Sequence, residues 1–358
     1  MSIYSEIVKE LNMFHDEKIP DKRFHINVPK LIYGILDEDN CVLVLEDLKE
    51  LDFQMNCKIE GLNENKLFLA VKQLASLHAL SYLYNIQKNP LTEKYPELKN
   101  LKVWENSFVY MAEPILLSVI KYLENKKGYV KQLEKLKKIL PYCSSKVYAM
   151  LNSSTPKDII CLRHGDFWNN NIMFKSNGNS DDQIKLLDWQ NCSLGHYIFD
   201  LEYLLFTSTT SKIKEDCIQH ALEQYYNTFK NITMAFDNAL NNWNLENLKK
   251  EFISFSFMGF IYGIIINAIT LSESAKTIFQ SKNQKQAGPL TKKFLRFGIK
   301  LFIDYKDSSI VKFVNKTNVK KMILPLVEEI TSGKNEILNN RIIDIINDCD
   351  KRGIFNDI

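Results

Sequence analysis

Three oxygen-bearing side chains in the middle of the sequence have the types and the spacing that magnesium-dependent phosphoryl transfer requires. Asp166 lies in the segment HGDFWNNNIMF, Asn171 follows it by five residues, and Asp188 comes directly after the apolar run IKLL. Magnesium takes hard oxygen ligands, usually one or two carboxylates together with phosphate oxygens, so Asn171 and Asp188 are candidate metal ligands. A loop carboxylate beside the metal suits the proton transfer from an attacking hydroxyl, and Asp166 is the candidate for this base.

A β-hairpin is predicted to position these residues. Two short apolar runs, IMFK and IKLL, flank the turn-rich segment SNGNSDDQ, which is typical of a hairpin with a long polar tip. We expect Lys175 to pair with Ile184, which brings Asn171 opposite Asp188. Residues that pair in an antiparallel ladder lie about 4.5–5.5 Å apart, so the two side chains should converge at one end of the hairpin.

The alternative interpretation of the same residues is structural. Asp166 would then be a turn residue, the asparagine run a loop, and Asp188 a cap at the end of a strand, all of which are common uses of these residue types. The combination of H-x-D-x-x-x-x-N with a following hairpin and an apolar-apolar-Asp favours the catalytic interpretation. His164 is expected to shape the loop rather than to titrate in a reaction.

The bulk composition restricts the class of protein. In 358 residues, 46 Lys and Arg balance 43 Asp and Glu, and the net charge of +3 argues against binding to nucleic acid or to a membrane surface by bulk electrostatics. The seven cysteines are scattered and form no C-x-x-C pair, which predicts reduced thiols in a cytoplasmic protein. The N-terminal segment MSIYSEIVKELNMF lacks the pattern of a signal peptide.

Hydrophobic periodicity predicts a small strand-bearing N-terminal part followed by a large helical part. Residues 1–16 are expected to be helical, two β-like runs follow at 30–36 and 41–45 around the turn DEDN, and a long helix is expected over 63–85 behind an asparagine-rich start. Further helices are predicted at 106–124, 128–151, 213–233, 244–271, 288–306, 319–332 and 336–351. The fold class is therefore α+β.

One predicted helix is long enough to cross a membrane. Residues 252–270 contain no charged side chain and include the run GFIYGIIINAIT. Ser254, Ser256, Asn267, two glycines and flanks without a clear basic asymmetry favour a helix buried in a large helical lobe over a membrane span.

The motifs resemble those of a known family. HGDFWNNNIMF, IKLLDWQ and SLGHYIFDLEYLLFTST are closely similar to the ecdysteroid kinase-like (CHK kinase-like) family, which is found chiefly in insects and is related to choline kinases and aminoglycoside phosphotransferases. VLVLEDLKELDF and LNENKLFLAVKQLASLHALS resemble its hinge segment and the first helix of its large lobe. The resemblance covers nearly the whole chain and implies a two-lobe, protein-kinase-like fold, with 1–48 as hinge and N-lobe remnant and 49–358 as catalytic lobe.

The resemblance also implies roles for individual residues. Asp166 matches the catalytic base of the family, and Asn171 and Asp188 match its magnesium ligands. Glu46, Asp47 and Leu48 fall where the hinge backbone meets the adenine of ATP. Asp200 matches a buried aspartate that braces the catalytic loop, although a helix N-cap is an equal alternative.

The sequence departs from the family at its N-terminus. A complete member has a glycine-rich hairpin, a strand lysine and a helix glutamate that pairs with this lysine. The first 60 residues contain a single glycine, Gly34, and we see no lysine for Glu6 or Glu10 to meet. We therefore expect that a strand-rich half-lobe is absent and that Met1 falls inside the helix that should carry the glutamate.

Three hypotheses about function follow. The first is an ATP-dependent kinase that uses Mg²⁺ and acts on the hydroxyl of a small molecule, for which the resemblance suggests a steroid-like alcohol such as an ecdysteroid. The second is a pseudokinase-like binding protein that lacks the glycine-rich loop and the ATP-clamping lysine. The third, a hydrolase or membrane-associated protein that shares only the D/N/D pattern, is the weakest.

Overall fold

The computed structural model describes residues 1–36, 41–99, 103–153, 158–176, 182–240, 243–274 and 323–356. The chain forms two compact units, each built from two segments. Unit 1 comprises Met1–Lys102 and Ser153–Gly259, and unit 2 comprises Val103–Asn152 and Phe260–Ile358. The functional division into 1–48 and 49–358 stays a prediction.

The helices and strands alternate in a mixed α+β order. The strands are β1 (Leu31–Leu36), β2 (Cys41–Leu45), β3 (Gln54–Met55), β4 (Ile160–Arg163), β5 (Ile172–Lys175), β6 (Gln183–Leu186) and β7 (Ser193–His196). The helices are α1 (Val8–Asp16), α2 (Glu64–Gln87), α3 (Leu91–Lys94), α4 (Val103–Glu124), α5 (Val130–Ile139), α6 (Cys143–Asn152), α7 (Ile198–Ser208), α8 (Ser211–Ala235), α9 (Leu245–Leu271), α10 (323–332) and α11 (Glu336–Lys351).

The N-terminal helix is amphipathic and begins with a π-helical turn over Ile3–Ile7 that continues into α1. Ile7, Leu11 and Phe14 recur at helical spacing and are buried. Their spacing favours a helix, and together they form the apolar face that packs against the protein interior. Phe14 meets Tyr84 of α2 edge-to-face, with 5.4 Å between ring centroids. The predicted helix over residues 1–16 is therefore confirmed from residue 3 onward.

The predicted strand pair is present. β1 and β2 pair antiparallel, with an irregularity between Leu31 and Tyr33, and the connecting DEDN segment lies outside the described residues. The outward-facing side chains of this pair include large apolar groups, since Ile32 is 63% and Tyr33 is 53% exposed.

Helix α2 is the central element of unit 1. Its first turn is capped by Asn63, whose side chain accepts a hydrogen bond from the backbone N–H of Lys66 at 3.0 Å, as the asparagine-rich start predicted. Thirteen of its residues are buried, and it packs against α8 and β4. Because α2 is buried on several sides, it forms a rigid support for β4, the strand that leads into the loop from His164 to Asn171.

Two small antiparallel sheets in unit 1 carry the segment 160–196. One has the order β3-β5-β6, and the other consists of β4 and β7. The loop between β4 and β5 therefore starts in one sheet and ends in the other, which positions its side chains from both ends.

Unit 2 is helical in its described part. The predicted helix 128–151 is interrupted by a 3-10 turn at Leu140–Tyr142, because Pro141 has no N–H and its ring obstructs a continuous α-helix. Within the unit, Lys135 contacts Asp350 at 2.6 Å, and Phe260 packs on Phe355. The predicted helix 288–306 lies outside the described residues.

Helix α9 is the helix that the sequence marked as a possible membrane span. Among the described residues it alone is long and apolar enough to cross a bilayer, and 78% of its most apolar window is buried inside the protein. That burial is what the buried-helix interpretation requires. Six of the seven cysteines, Cys57, Cys143, Cys161, Cys192, Cys217 and Cys349, form no disulfide.

Candidate active site

The loop from His164 to Asn171 depends on a glycine for its shape. Gly165 has a φ of 78°, in the left-handed region that favours glycine, and a Cβ at this position would lie 2.2 Å from the carbonyl oxygen of Asn191. The backbone of the loop therefore lies close against the chain that follows β6. This close approach brings Asp166 toward the end of the β5–β6 hairpin.

Asp166 is held by hydrogen bonds to both of its carboxylate oxygens. The hydroxyl of Tyr203 donates to Oδ1 at 2.7 Å, and Nδ2 of Asn171 donates to Oδ2 at 3.0 Å. The same Asn171 nitrogen donates to the backbone carbonyl of Asp166 at 2.9 Å. The structure thus brings together Asp166 and Asn171, and it adds a phenol that the sequence analysis missed.

The signal for Tyr203 was present in the sequence. It follows Asp200 by three residues on α7, and residues three apart lie on the same face of a helix. Once Asp200 is placed against the loop, Tyr203 must face the loop as well.

The environment of Asp166 raises its pKa to about 6, from an ordinary value of 3.8. Burial is the largest cause, and the negative charges of Asp188 and Asp200 act in the same direction, while the hydrogen bonds from Tyr203 and Asn171 oppose it. A carboxylate with a pKa near 6 is a stronger base than an exposed one and is still mostly ionised at neutral pH.

The hairpin is confirmed, but its predicted register is wrong by one residue. Lys175 pairs with Gln183 rather than with Ile184, and the ladder continues with the N–H of Leu187 donating to the carbonyl of Asn171 at 2.9 Å. The observed register pairs the buried Phe174 with the buried Ile184, whereas the predicted one would pair Phe174 with Lys185. Matching of apolar side chains therefore sets the register.

Asp188 consequently lies one residue beyond the ladder, in a bend of its own. Its φ is 58°, and its backbone N–H donates to the hydroxyl of Tyr4 at 3.2 Å. The carboxylate is exposed and accepts a hydrogen bond from Nε2 of Gln190 at 3.3 Å. Its negative charge acts on the pKa of Asp166, so the two acids belong to one electrostatic site.

Asn171 and Asp188 fit a magnesium ion by the chemistry of their donors. Asn171 makes both of its side-chain hydrogen bonds through Nδ2, which directs the amide oxygen away from Asp166 as a possible ligand. Asp188 adds an exposed carboxylate, and both are the hard oxygen donors that Mg²⁺ takes. Their role as a shared metal pair remains a prediction.

Asp200 braces the loop rather than capping its own helix. The N-cap position of α7 is Tyr197, whereas the oxygens of Asp200 accept hydrogen bonds from the backbone N–H groups of His164 at 2.6 Å and Gly165 at 3.0 Å. Burial acts to raise the pKa of Asp200. The hydrogen bond from His78 and the positive charge of Arg163 outweigh burial, so the pKa lies below its usual range. The ionised carboxylate thus holds two successive loop amides.

His78 extends this brace into the core. Its Nε2 lies 3.2 Å from Asp200, and its Nδ1 lies 2.6 Å from the hydroxyl of Tyr225. Burial lowers the pKa of His78, with Asp200 acting in the opposite direction, so the ring is neutral. A neutral ring satisfies both contacts when Nε2–H donates to Asp200 and Nδ1 accepts from Tyr225, which gives His78 a structural role.

His164 also has a structural place. Its Nε2 lies 2.8 Å from the carbonyl oxygen of Leu187, so the ring links the loop from His164 to Asn171 to the residue that precedes Asp188. Burial lowers its pKa, which keeps the ring neutral.

A cleft of about 620 Å³ lies beside the hairpin. Its apolar lining includes Pro29, Leu45, Leu48, Phe53, Met173 and Leu187. The predicted hinge residues Glu46, Asp47 and Leu48 all border it, and Leu187 is the neighbour of Asp188. A cleft of this size with apolar walls fits a planar nucleobase, although binding of a nucleotide at these residues stays a prediction.

The side chains of the hinge are already engaged. Glu46 contacts Nζ of Lys185 at 3.1 Å, and Oδ1 of Asp47 accepts the backbone N–H of Lys49 at 2.9 Å. Burial acts to raise the pKa of Glu46, but hydrogen bonds from the backbone of Lys30 and from Lys185 lower it below its usual range. A nucleobase bound in the cleft would therefore be recognised through the backbone N–H and C=O groups of this segment.

The expectation that neither N-terminal glutamate has a lysine to meet is wrong. Glu10 contacts Nζ of Lys94 on α3 and accepts a hydrogen bond from the hydroxyl of Tyr95 at 3.0 Å, and Glu6 accepts one from the same hydroxyl at 3.2 Å. Burial acts to raise the pKa of Glu10, but the bonds from Lys94 and Tyr95 lower it. The partners lie some 85 residues along the chain, where no local pattern announces them.

Comparison with known proteins agrees with these motifs. A sequence model described as the Ecdysteroid kinase-like family matches residues 1–236. No curated protein matches the chain.

Two solved structures are similar at low sequence identity. One is a protein from Ralstonia eutropha JMP134 proposed to be an aminoglycoside phosphotransferase, with 11% identity, a TM-score of 0.36, and coverage of 92% of this chain and 84% of that one. The other is an ethanolamine kinase from Plasmodium vivax, with 18% identity, a TM-score of 0.34, and coverage of 78% of this chain and 74% of that one.

The family match spans roughly the first two thirds of the sequence and contains the predicted hinge, the loop from His164 to Asn171, the hairpin and Asp200. The predicted α+β, kinase-like fold class is confirmed by this match together with the mixed architecture. The chain belongs to the ecdysteroid kinase-like family.

Proposed function

We propose that this chain is an ATP-dependent phosphotransferase that moves a phosphoryl group onto the hydroxyl of a small molecule. The family match supports a kinase lineage, and one observation carries the assignment of the site. Asp166 is fixed by Tyr203 and Asn171 beside the carboxylate of Asp188, and its pKa is raised to about 6. A structural turn residue needs no such environment.

Asp166 acts as the base in this proposal. Its carboxylate orients the acceptor hydroxyl and takes its proton as the oxygen attacks, while the bonds from Tyr203 and Asn171 keep both of its oxygens in place. Asn171 and Asp188 hold Mg²⁺, which supplies charge neutralisation at the transferring phosphates when bound. Asp200 keeps the loop amides, and therefore Asp166, at a fixed position.

The substrates follow from the lineage and the cleft. ATP places its base in the cleft bordered by Glu46, Asp47 and Leu48. A hydroxylated small molecule of steroid type, such as an ecdysteroid, is the acceptor that the family suggests. The free thiols of the described cysteines fit a reducing, cytoplasmic location.

Nucleotide binding is the first test of the proposal. We expect Mg·ATP at millimolar concentration to raise the melting temperature, because a ligand that binds only the folded state stabilises it. Asp188→Asn should reduce this shift strongly, and Asp166→Asn should keep it. Asp237→Asn serves as the matched control, since the side chain of Asp237 is 86% exposed. Absence of any shift in the wild-type protein would remove the catalytic assignment.

A catalytically impaired binding protein is the second candidate. One observation favours it: Glu10 is already engaged by Lys94 and Tyr95 rather than by a lysine on a strand. Loss of a phosphate clamp lowers transfer by orders of magnitude without removing an acceptor pocket. Stabilisation by a hydroxylated steroid together with indifference to Mg·ATP would identify this function in place of the kinase.

A further inference from the structure

A second cluster of potential metal ligands lies in unit 1, at the end of α1. Nδ1 of His15 lies 2.9 Å and Nε2 of His25 lies 2.6 Å from the same oxygen, Oδ1 of Asp16. One ligand atom from each of the three residues lies within 4.8 Å of the others. Two imidazoles and a carboxylate that converge on one point are a donor set typical of a transition-metal ion rather than of magnesium.

The cluster is preorganised by the chain around it. Asn12 of α1 ties down the loop that carries His25, because its side chain accepts the N–H of Ile26 at 2.8 Å and donates to the carbonyl of Ile26 at 3.0 Å. Nε2 of Gln73 donates to the carbonyl of His25 at 2.8 Å. The position of His25 is therefore fixed independently of Asp16, which reduces the ordering cost of binding an ion.

His15 is the fixed point of the cluster. Its side chain is fully buried at the end of α1, and its ring meets that of His25 edge-to-face at 4.7 Å. A carboxylate only accepts hydrogen bonds, so without a metal both imidazoles must present N–H groups to Asp16. In the described part of the chain, Nε2 of His15 is then buried with no hydrogen-bond partner. An ion bound at Nδ1 would leave Nε2 in the same state, so the convergence of the three donor atoms, and not Nε2, is what favours a metal.

The distances suit an ion of the size of zinc. Zinc lies about 2.0–2.1 Å from imidazole nitrogen and carboxylate oxygen, and tetrahedral geometry at that radius separates the ligand atoms by about 3.3 Å. The two short contacts to Asp16 would need to lengthen by roughly 0.4 and 0.7 Å to admit the ion, and the two imidazole nitrogens, which lie within 4.8 Å of each other, would close around it. The side chain of Asp16 is 48% exposed, so it can make this adjustment and leave a fourth position to water.

We propose that His15, Asp16 and His25 form a binding site for Zn²⁺ or a similar divalent transition metal. The ion would link the last turn of α1 to the loop that leads into β1, whose partner strand β2 runs into the predicted hinge. It is separate from the proposed magnesium site in residues and in chemistry, because it uses nitrogen donors. Its existence does not depend on phosphoryl transfer.

Cobalt(II) provides the direct probe, since its visible spectrum reports ligand number and nitrogen donors and zinc displaces it. The protein is treated with a chelator, exchanged into metal-free buffer and titrated with Co²⁺, followed by competition with Zn²⁺ and by calorimetry for the stoichiometry. We expect one Co²⁺ per chain and displacement by one Zn²⁺. The same zinc concentration should raise the melting temperature.

Variants assign the binding to these residues. His25→Gln and Asp16→Asn should each weaken binding by at least about 10-fold and abolish the zinc-dependent melting shift. His220→Gln, which changes an exposed histidine of α8, should bind like the wild type. Circular dichroism confirms that each variant is folded. No saturable binding by the wild type, or equal affinity in His25→Gln and Asp16→Asn, would overturn the proposal and leave Asp16 as a hydrogen-bonded bridge between two histidines.

Discussion

Replacement of Asp166 by asparagine should make the protein more stable at neutral pH while it removes activity. The folded-state pKa of about 6 lies above the ordinary value of 3.8, so folding favours the protonated acid. The stability that this group contributes is fully present below pH 3.8 and is lost as the pH rises through 6. At pH 7 the wild-type protein therefore carries the cost of an ionised, buried carboxylate.

The size of this cost follows from the pKa difference. A difference of about 2 units at roughly 1.4 kcal/mol per unit gives about 3 kcal/mol at pH 7. Asparagine has no charge at any of these pH values, but its amide nitrogen would face a donor from Asn171 or Tyr203, which offsets about 1 kcal/mol. We expect a net stabilisation of about 2 kcal/mol above pH 7.

Urea unfolding at a series of pH values between 4 and 8, monitored by circular dichroism, measures this effect. The free energy of unfolding of Asp166→Asn minus that of the wild type should rise between pH 4 and 7 and then level off. Asp237→Asn, at an exposed site, should stay within about 0.5 kcal/mol of the wild type throughout. A difference that does not change with pH, or a destabilised Asp166→Asn at pH 7, would refute the raised pKa.

Three further substitutions test the environment of the site. Tyr203→Phe removes a hydrogen bond that lowers the pKa of Asp166, so the ascending limb of the pH–rate profile should move to higher pH; an unmoved limb would separate Tyr203 from the base. Asp200→Asn places an amide nitrogen against one of the two loop N–H groups and should lower the free energy of unfolding by about 3 kcal/mol in urea titrations; a loss below about 1 kcal/mol would contradict the brace. Tyr4→Phe removes the acceptor for the N–H of Asp188 and should weaken Mg·ATP binding in calorimetry by roughly 5–10-fold, whereas an unchanged affinity would make that contact incidental.

Local patterns in the sequence were sufficient for the elements around the site. The turn-rich segment between two apolar runs predicted the hairpin, and Asn63 predicted the start of α2 through its cap. Both signals depend on residues that are neighbours in the chain. The motif from His164 to Asp188 likewise predicted that Asn171 would lie close to Asp166, whereas the pairing of Asn171 with Asp188 stays a prediction.

The register of the hairpin needed information that the sequence does not contain locally. The choice between Gln183 and Ile184 as the partner of Lys175 depends on which side chains the rest of unit 1 buries. A shift by one residue exchanges the two faces of a strand, so packing of Phe174 against Ile184 decides it. The consequence is local, because Asp188 moves from the ladder into a bend.

Contacts between residues that are distant in the sequence could not be predicted either. Tyr4 reaches Asp188 across 184 residues, and Lys94 reaches Glu10 across 84. Such pairs are set by how α1 and α3 pack on α2, which a residue pattern within one element does not encode. Asp200 was predicted only because the family resemblance assigned it a partner.

Transfer of the labelled γ-phosphoryl group of ATP to a panel of hydroxylated steroids, with mass spectrometry of the product ester, tests the central claim most directly. We predict that the wild-type protein forms a phosphate ester with Mg²⁺, that a chelator stops it, and that Asp166→Asn lowers the rate by about 10²–10⁴-fold while still binding Mg·ATP. Absence of any ester from the wild-type protein, or a wild-type rate in Asp166→Asn, would contradict the assignment of this site to phosphoryl transfer.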